Sequence, residues 1–312
     1  MNKDLLFNEL TAALKKGRVL ADEPMNKHTT FRTGGAAAIF AEPYDADELR
    51  RVLELLDGKV FCLIGNGSNL LVSDAGIDGV VIKLGKGFCH AEADADNAFI
   101  SCGAGATLAQ LARSALDASL TGCEFAAGIP GSLGGAIFMN AGAYGGEMKQ
   151  IVSSVTLMDY NGGILKKSAD EMRFSYRSSI LKEEPYIVLG AGLKLWHGKK
   201  EQIREKMDEL AAKRREKQPL EYPSAGSAFK RPEGYFAAKL IEDAGLRGFC
   251  VGGAQVSEKH CGFVINKGNA TSADIYALIS EVRSRVRDSA GVDIEPEVIM
   301  LGDFDREEAY LQ

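Results

Sequence analysis

Apolar positions along this chain group into short stretches of helical or strand-like period. Leu5, Leu6, Leu10 and Leu14 recur at helical spacing between charged residues and predict an amphipathic helix at the start. Asp45 with Glu48 three residues on resembles a capping box, and Leu49, Val52, Leu53 and Leu56 then form one apolar face ending at Gly58. Residues 60–64 are almost wholly apolar, as a strand buried in mid-sheet would be, and 79–84 predict the next strand. A polar, glycine-rich stretch over 85–97 marks a boundary, after which 98–102 read as a strand. Thr107 and Gln110 predict a capped helix running to about Ala118. Residues 155–159 and 164–167 flank Asn161-Gly162-Gly163 as a hairpin, and 186–196 form a longer strand.

A charged helix over 201–217, with Ile203, Met207 and Leu210 on one side, leads into a C-terminal part that begins near Pro219. There the pattern predicts helices over 235–244 and 273–289 and strands over 263–266 and 298–301. The expected architecture is α+β in three parts: 1–84, 85–200 and 201–312.

Composition narrows the function classes. The 312 residues, 46% hydrophobic and 26% charged, have the balance of an ordinary globular protein. A net charge of −6 gives little counterion release on a polyanion, so nucleic acid is not an expected partner. No stretch approaches the roughly 20 apolar residues that span a bilayer, and the first helix lacks the apolar core of a signal peptide. A cytoplasmic monomer without membrane partners is the expectation. Cys62, Cys89, Cys102, Cys123, Cys250 and Cys261 are scattered without Cys-x-x-Cys, and read as reduced, mostly buried thiols. His28, His90, His197 and His260 have no ligand spacing either, so no metal site is expected.

Three glycine-rich segments stand out: residues 65–69 (Gly-Asn-Gly-Ser-Asn), 103–105 (Gly-Ala-Gly) and 128–146. Glycine lets backbone N–H groups converge on an anion, and a pyrophosphate is the common ligand with that need. The Rossmann fingerprint fails, because Leu70 and Leu108 stand where its third glycine belongs. No Gly-Lys-Ser/Thr follows any of these glycines, which removes the P-loop. The first two segments read equally well as tight turns. The third is too long and too apolar for a connector and favours a cofactor cradle.

Taken in order, several segments resemble the UDP-N-acetylenolpyruvoylglucosamine reductase family. They are His28-Thr29-Thr30-Phe31, the loop 65–71, the run 128–146, Phe174-Ser175-Tyr176-Arg177-Ser178-Ser179, Ala225-Gly226-Ser227-Ala228-Phe229-Lys230-Arg231-Pro232, Lys259-His260-Cys261-Gly262-Phe263 and Glu295-Pro296-Glu297-Val298. The family lies in the vanillyl-alcohol-oxidase-like superfamily. The resemblance implies a two-subdomain FAD-binding fold of the PCMH type, followed by an α/β substrate domain. It implies non-covalent FAD on Gly65, Asn66, Gly67, Ser68, Asn69 and Leu70, and on Gly128, Ile129, Pro130, Gly131, Ser132, Gly134, Gly135, Asn140 and Gly142. One strand and one helix fill the interval between Arg177 and Ser227. This is similar to the family's shorter class, and the lid tyrosine of the longer class has no counterpart here.

The implied reaction reduces UDP-N-acetylglucosamine enolpyruvate with NADPH as co-substrate: hydride reaches C3 and a proton reaches C2. By resemblance Arg177 polarises the substrate carboxylate, Glu297 stands at the developing enolate and Ser227 supplies the proton. An ionised Glu297 would repel the enolate, so a neutral or heavily hydrogen-bonded side chain is expected there. Taken without the family pattern, Arg177 would be a surface arginine, Ser227 a turn residue, and Glu295 no different from Glu297. Tyr144, Lys230, Arg231, Lys239 and Lys267 are candidates for substrate contact. Two other functions are weighed against this one. An FAD-linked alcohol or sugar oxidase often tethers its flavin through His or Cys, and the 65–69 loop has neither. A non-catalytic nucleotide-sugar module would leave the three catalytic candidates unexplained.

Overall fold

The protein, as a computed structural model, is described over residues 3–304. Its contacts divide the chain into two compact units. The first comprises the described residues of Met1–Ala21 with Ile39–Asn66 and Val80–Lys213; the second comprises Asp22–Ala38, Gly67–Gly79 and the described residues of Arg214–Gln312.

A five-stranded antiparallel sheet organises the first unit, in the order Ile164–Ser168, Val152–Asp159, Tyr186–Lys194, Phe99–Gly103, Ala91–Asp94. Its alternating side chains feed two separate cores. Val155, Leu157, Val188, Ala191 and Leu193 point to a core shared with the helices Leu108–Asp117 and Leu133–Phe138. Met158, Ile187 and Leu189 point to a second core, closed by Leu6 and Leu10 of the helix Lys3–Ala13 and by Leu49, Val52, Leu53 and Leu56 of the helix Ala46–Leu56. A strand with both faces covered in this way belongs to both cores at once. Of the stretch expected as 1–84, the described part of Met1–Ala21, Ile39–Asn66 and the residues from Val80 on pack in one unit with 85–200, whereas Asp22–Ala38 and Gly67–Gly79 belong to the second unit. The helix predicted to lead into the C-terminal part, Lys200–Lys217, buries Ile203 and Leu210.

The second unit is built on a four-stranded antiparallel sheet, in the order Ser224–Ser227, Phe263–Asn266, Ala254–Val256, Cys250–Val251. The helix Ser272–Ala290 contributes Ile275, Leu278, Ile279, Val282 and Val286 to its core. That helix starts at a Thr271–Asp274 capping box and ends on left-handed Gly291, the two signals expected of a well-specified helix. Asp74 adds two further caps by accepting from the backbone N–H groups of Ser272 and Ala273.

Several expected features come out differently. Leu5 is exposed, and the apolar stripe of the first helix runs through Leu6, Leu10 and Leu14, with Phe7 and Ala13 packed beside them. The strand Phe61–Ile64 lies at a sheet edge beside Ile77–Lys83, and Val60 is 90% exposed; an apolar run does not by itself imply a central strand. Asp45 caps its helix, but Glu48 does not reach back to complete a box. Glu48, only 1% exposed, instead accepts backbone N–H bonds from Lys15 and Lys16 (2.7 Å each) and from Gly17 and Tyr44 (2.9 Å each). The stretch 85–97 is not a bare linker: it contains a 3-10 turn, Lys86–Phe88, and the strand Ala91–Asp94. Only three of the six free cysteines are buried. Among the described residues no helix is long and apolar enough to cross a membrane.

Candidate active site

Within the first unit, Gly65 and the glycine segments 103–105 and 128–146 converge. Leu108 donates its backbone N–H to Gly131 O, Leu133 to Ala106 O, and Gly134 to Ala104 O, so residues 104–108 run beside 131–134. A Cβ at Gly65 would lie 2.4 Å from Ser132 Oγ, which brings the end of the Phe61–Ile64 strand against the same segment. Packing alone explains some of these glycines. A Cβ at Gly103 would strike Phe88 O at 2.2 Å, and one at Gly146 would strike the Phe125 ring at 2.4 Å. Gly135 is different: it is exposed, and its Cβ would meet only Ser132 Oγ at an ordinary 3.5 Å. Nothing in the protein calls for glycine there, and Gly128 and Pro130 are exposed on the same segment. A bare backbone surface flanked by Gly65 and Ser132 fits the close approach of a pyrophosphate, so these residues suit FAD.

Arg177 sits at the tip of a two-residue turn closed by reciprocal backbone bonds between Ser175 and Ser178, 3.1 and 3.2 Å. Its φ is +53°, a conformation that residues with a Cβ adopt only at a cost. Its guanidinium lies 5.2 Å from the centroid of the exposed Tyr176 ring. Ser179 Oγ donates to Phe138 O on one side of this turn, and Asn140 Nδ2 donates to Ser175 O on the other. Tyr144 tops a second tip, the hairpin that pairs Gly142 with Glu147. There Tyr144 and Gly145 both have positive φ, +53° and +85°. Asn140 and Gly142, expected among the cofactor residues, thus belong to the scaffold of these two tips.

In the second unit Ser227 ends a bulged strand. Ser224 pairs with Ile265 and Ser227 with Phe263, so three steps on one strand meet two on the other. Gly226 absorbs the difference at φ +78°; a Cβ there would meet open space, so it is the backbone angle that favours glycine. The bulge re-aims the half-buried Ser227, and its neighbour Ala228 donates to Gly262 O at 2.8 Å.

Glu297 is held beside this strand. Its N–H donates to Ala228 O (2.8 Å), its carbonyl accepts from Asn69 Nδ2 (3.0 Å), and Ile299 N–H donates to Asn69 O (3.0 Å). The glycine loop then continues in parallel pairing, Leu70 opposite Ile299. Asn69 therefore contributes its side chain to the Glu297 backbone, a role its place in a glycine loop did not suggest. Pro296 bridges Phe229, so the expected strand begins only at Ile299. Glu295 and Glu297 are now distinct. Exposed Glu295 accepts from Lys230 Nζ at 2.7 Å, which holds its carboxyl below the usual range, whereas Glu297 is half-buried.

The other candidate cations divide. Lys239 is paired with Asp243 at 2.6 Å, Arg231 lies 4.0 Å from the Phe236 ring centroid, and Lys267 is exposed. Two supports went unassigned at the sequence level. Thr30 N–H donates to Gly67 O, and a Cβ on Gly67 (φ +62°) would overlap His28 O, so the His28-Thr29-Thr30 motif moulds the glycine loop. His260 Nδ1 accepts from Gly262 N–H, and burial pushes its pKa down, so the ring stays neutral while it shapes the strand that receives Ser227. Burial also pushes the thiols of Cys102 and Cys123 up to about 12, far from a reactive thiolate. Among the described residues no cluster of His, Cys, Asp and Glu could hold a metal ion.

Two family models match the chain. Residues 37–168 match the FAD binding domain, and residues 218–301 match the C-terminal domain of UDP-N-acetylenolpyruvoylglucosamine reductase. The UDP-N-acetylenolpyruvoylglucosamine reductase of Agathobacter rectalis is 53% identical over 310 residues, covering 95% of this chain and 98% of the relative. That of Caldanaerobacter subterraneus subsp. tengcongensis is 50% identical, covering 96% and 99%. The crystal structure of the Thermus caldophilus enzyme superposes with a TM-score of 0.78 at 33% identity, covering 92% of this chain and 99% of that one.

Proposed function

The chain belongs to the UDP-N-acetylenolpyruvoylglucosamine reductase family, and from that premise we propose that it reduces UDP-N-acetylglucosamine enolpyruvate to UDP-N-acetylmuramate. FAD is the cofactor and NADPH the reductant; when bound, the flavin relays hydride from NADPH to C3 of the enolpyruvyl group. Residues 65–69 and 128–135 would hold it. The chain's own residues do the rest. Arg177 offers a planar fork to the substrate carboxylate and draws charge away from C2 as the hydride arrives. Glu297, neutral, donates a hydrogen bond to an enolate oxygen, and Ser227 delivers the one proton to C2 and regains it through neighbouring hydrogen-bonding groups.

The observation that carries this reading is the pinning of Glu297 to both Ala228 and Asn69. The proton donor, the enolate carboxyl and the glycine loop are thereby parts of one backbone network, so each is positioned by the others. Purified protein should show flavin absorption bands and should oxidise NADPH only when the enolpyruvyl sugar nucleotide is added. Oxygen consumption with an alcohol or sugar, and no response to the enolpyruvyl compound, would instead identify an oxidase.

A further inference from the structure

We infer that Asn140 is a positioning residue: from the interior of the first unit it sets both strained tips, the turn carrying Arg177 and the hairpin carrying Tyr144. The inference rests on the proposed role of Arg177 at the substrate carboxylate. Asn140 is 1% exposed and itself left-handed, with φ +43°. Its amide is fully engaged within the protein. Nδ2 donates to Ser175 O at 3.0 Å and to Glu147 Oε2 at 2.8 Å, and Oδ1 accepts from Lys149 N–H at 3.0 Å. Both amide hydrogens are used in this way, which leaves no donor for a ligand.

The two partners lead to the two tips. Ser175 O is the carbonyl that also accepts from Ser178 N–H to close the Tyr176–Arg177 turn. Glu147 pairs with Gly142 at the base of the Tyr144–Gly145 hairpin, and its other oxygen meets Lys149 Nζ at 2.7 Å. Left-handed conformations at residues with a Cβ persist only where the surroundings over-determine them. Arg177 and Tyr144 are two such residues, and Asn140 is the side chain bonded to the base of both. An asparagine also suits its own position, because it tolerates positive φ better than most residues.

The test uses the full chain with FAD, and two variants. Asn140→Gly keeps the backbone freedom and deletes the amide. Asn140→Asp keeps the acceptor for Lys149 but turns a second acceptor toward Ser175 O and Glu147. The rates of flavin reduction by NADPH and of flavin reoxidation by the enolpyruvyl substrate are measured separately. Reoxidation should slow by about 10-fold or more in both variants, since small misplacements of a positioning group are costly, while reduction by NADPH and FAD content stay within about 2-fold. Relative to the unmodified protein, Asn140→Asp should recover as pH falls and its carboxyl gains a hydrogen; Asn140→Gly should not. In the apoprotein, amide exchange over residues 175–178 should quicken in Asn140→Gly while the strand Val152–Asp159 is unchanged. The double variant with Arg177→Ala should be no slower than Arg177→Ala alone. Normal reoxidation in both variants, or parallel loss of both half-reactions and of FAD, overturns the inference. If Arg177→Ala itself reoxidises normally, the proposed role of Arg177 has failed, and the inference about catalysis falls with it.

Discussion

Ser227 and Arg177 reach their sites by opposite means. At the Ser227 bulge, the left-handed angle is assigned to the neighbouring Gly226, so the proposed proton donor keeps an ordinary backbone. At the Arg177 turn, the residue proposed to meet the substrate carboxylate is itself left-handed, and side chains bond to the turn from both sides: Asn140 from one and Ser179 from the other. A glycine hinge needs little support, because its conformation costs nothing sterically. A strained arginine needs a framework, and that framework is the glycine-rich run also proposed to meet the cofactor. The difference teaches where each site is vulnerable: the first through its hinge, the second through its braces.

The largest expected effects test the two proposed roles directly. Ser227→Ala should lower the rate of substrate reduction by about 100-fold or more, the usual contribution of a positioned proton donor, while NADPH still reduces the flavin. Arg177→Gly should lower substrate reduction by a similar factor of about 100 or more, since charge stabilisation at the carboxylate is lost. Its stability should be unchanged or higher by about 0.5 kcal/mol, because relief of left-handed strain, roughly 1–2 kcal/mol, exceeds the entropy cost of glycine. Chemical denaturation measures this directly; a clear loss of stability in Arg177→Gly would break the comparison.

Glu48 supplies a control in the same unit, a brace that holds no catalytic tip. Glu48→Gln should cost about 2–3 kcal/mol, because the amide nitrogen would face two backbone donors, with activity per folded molecule unchanged. Burial opposes ionisation of this carboxyl, but four backbone N–H bonds outweigh it and hold its pKa below the ordinary 4.5. Its contribution is therefore present above pH 4.5 and is lost as pH falls through the lower folded value. The stability gap between the two proteins should narrow on acidification below that point. Gly226→Ala comes next, at about 1 kcal/mol of stability and about a 10-fold loss of activity, since it moves the hinge and leaves Ser227 chemically intact. The smallest effect belongs to Glu295→Gln. Its exposed pairing with Lys230 should leave the denaturation midpoint unmoved and turnover within about 2-fold.

Much of this was legible in the residues. The caps at Asp45 and Thr107, the apolar face of the helix Ala46–Leu56 and the hairpin at Asn161-Gly162-Gly163 are local, and local spacing specifies them. The failed Rossmann spacing argues against the usual dinucleotide fold, the family motifs imply FAD chemistry, and the comparisons bear out the family. What sequence could not decide is anything that depends on which backbone group lies across from which. An apolar strand looks alike at the centre and the edge of a sheet, and only the pairing shows Phe61–Ile64 at the edge. Glu48 matched a capping pattern, but its oxygens were taken by backbone donors far away in the chain. Glu295 and Glu297 share a residue type and a neighbourhood; only the Lys230 contact and the Asn69 and Ala228 bonds separate them. For Asn140 and Asn69 the family resemblance implies cofactor contact, and only tertiary structure shows that their side chains also donate to the backbone carbonyls of Ser175 and Glu297. Sequence by itself determined the elements and the chemistry available, because period, caps and motifs act over a few residues. Tertiary structure alone decided which polar group meets which, because a hydrogen bond depends on sub-ångström positions that long-range packing sets.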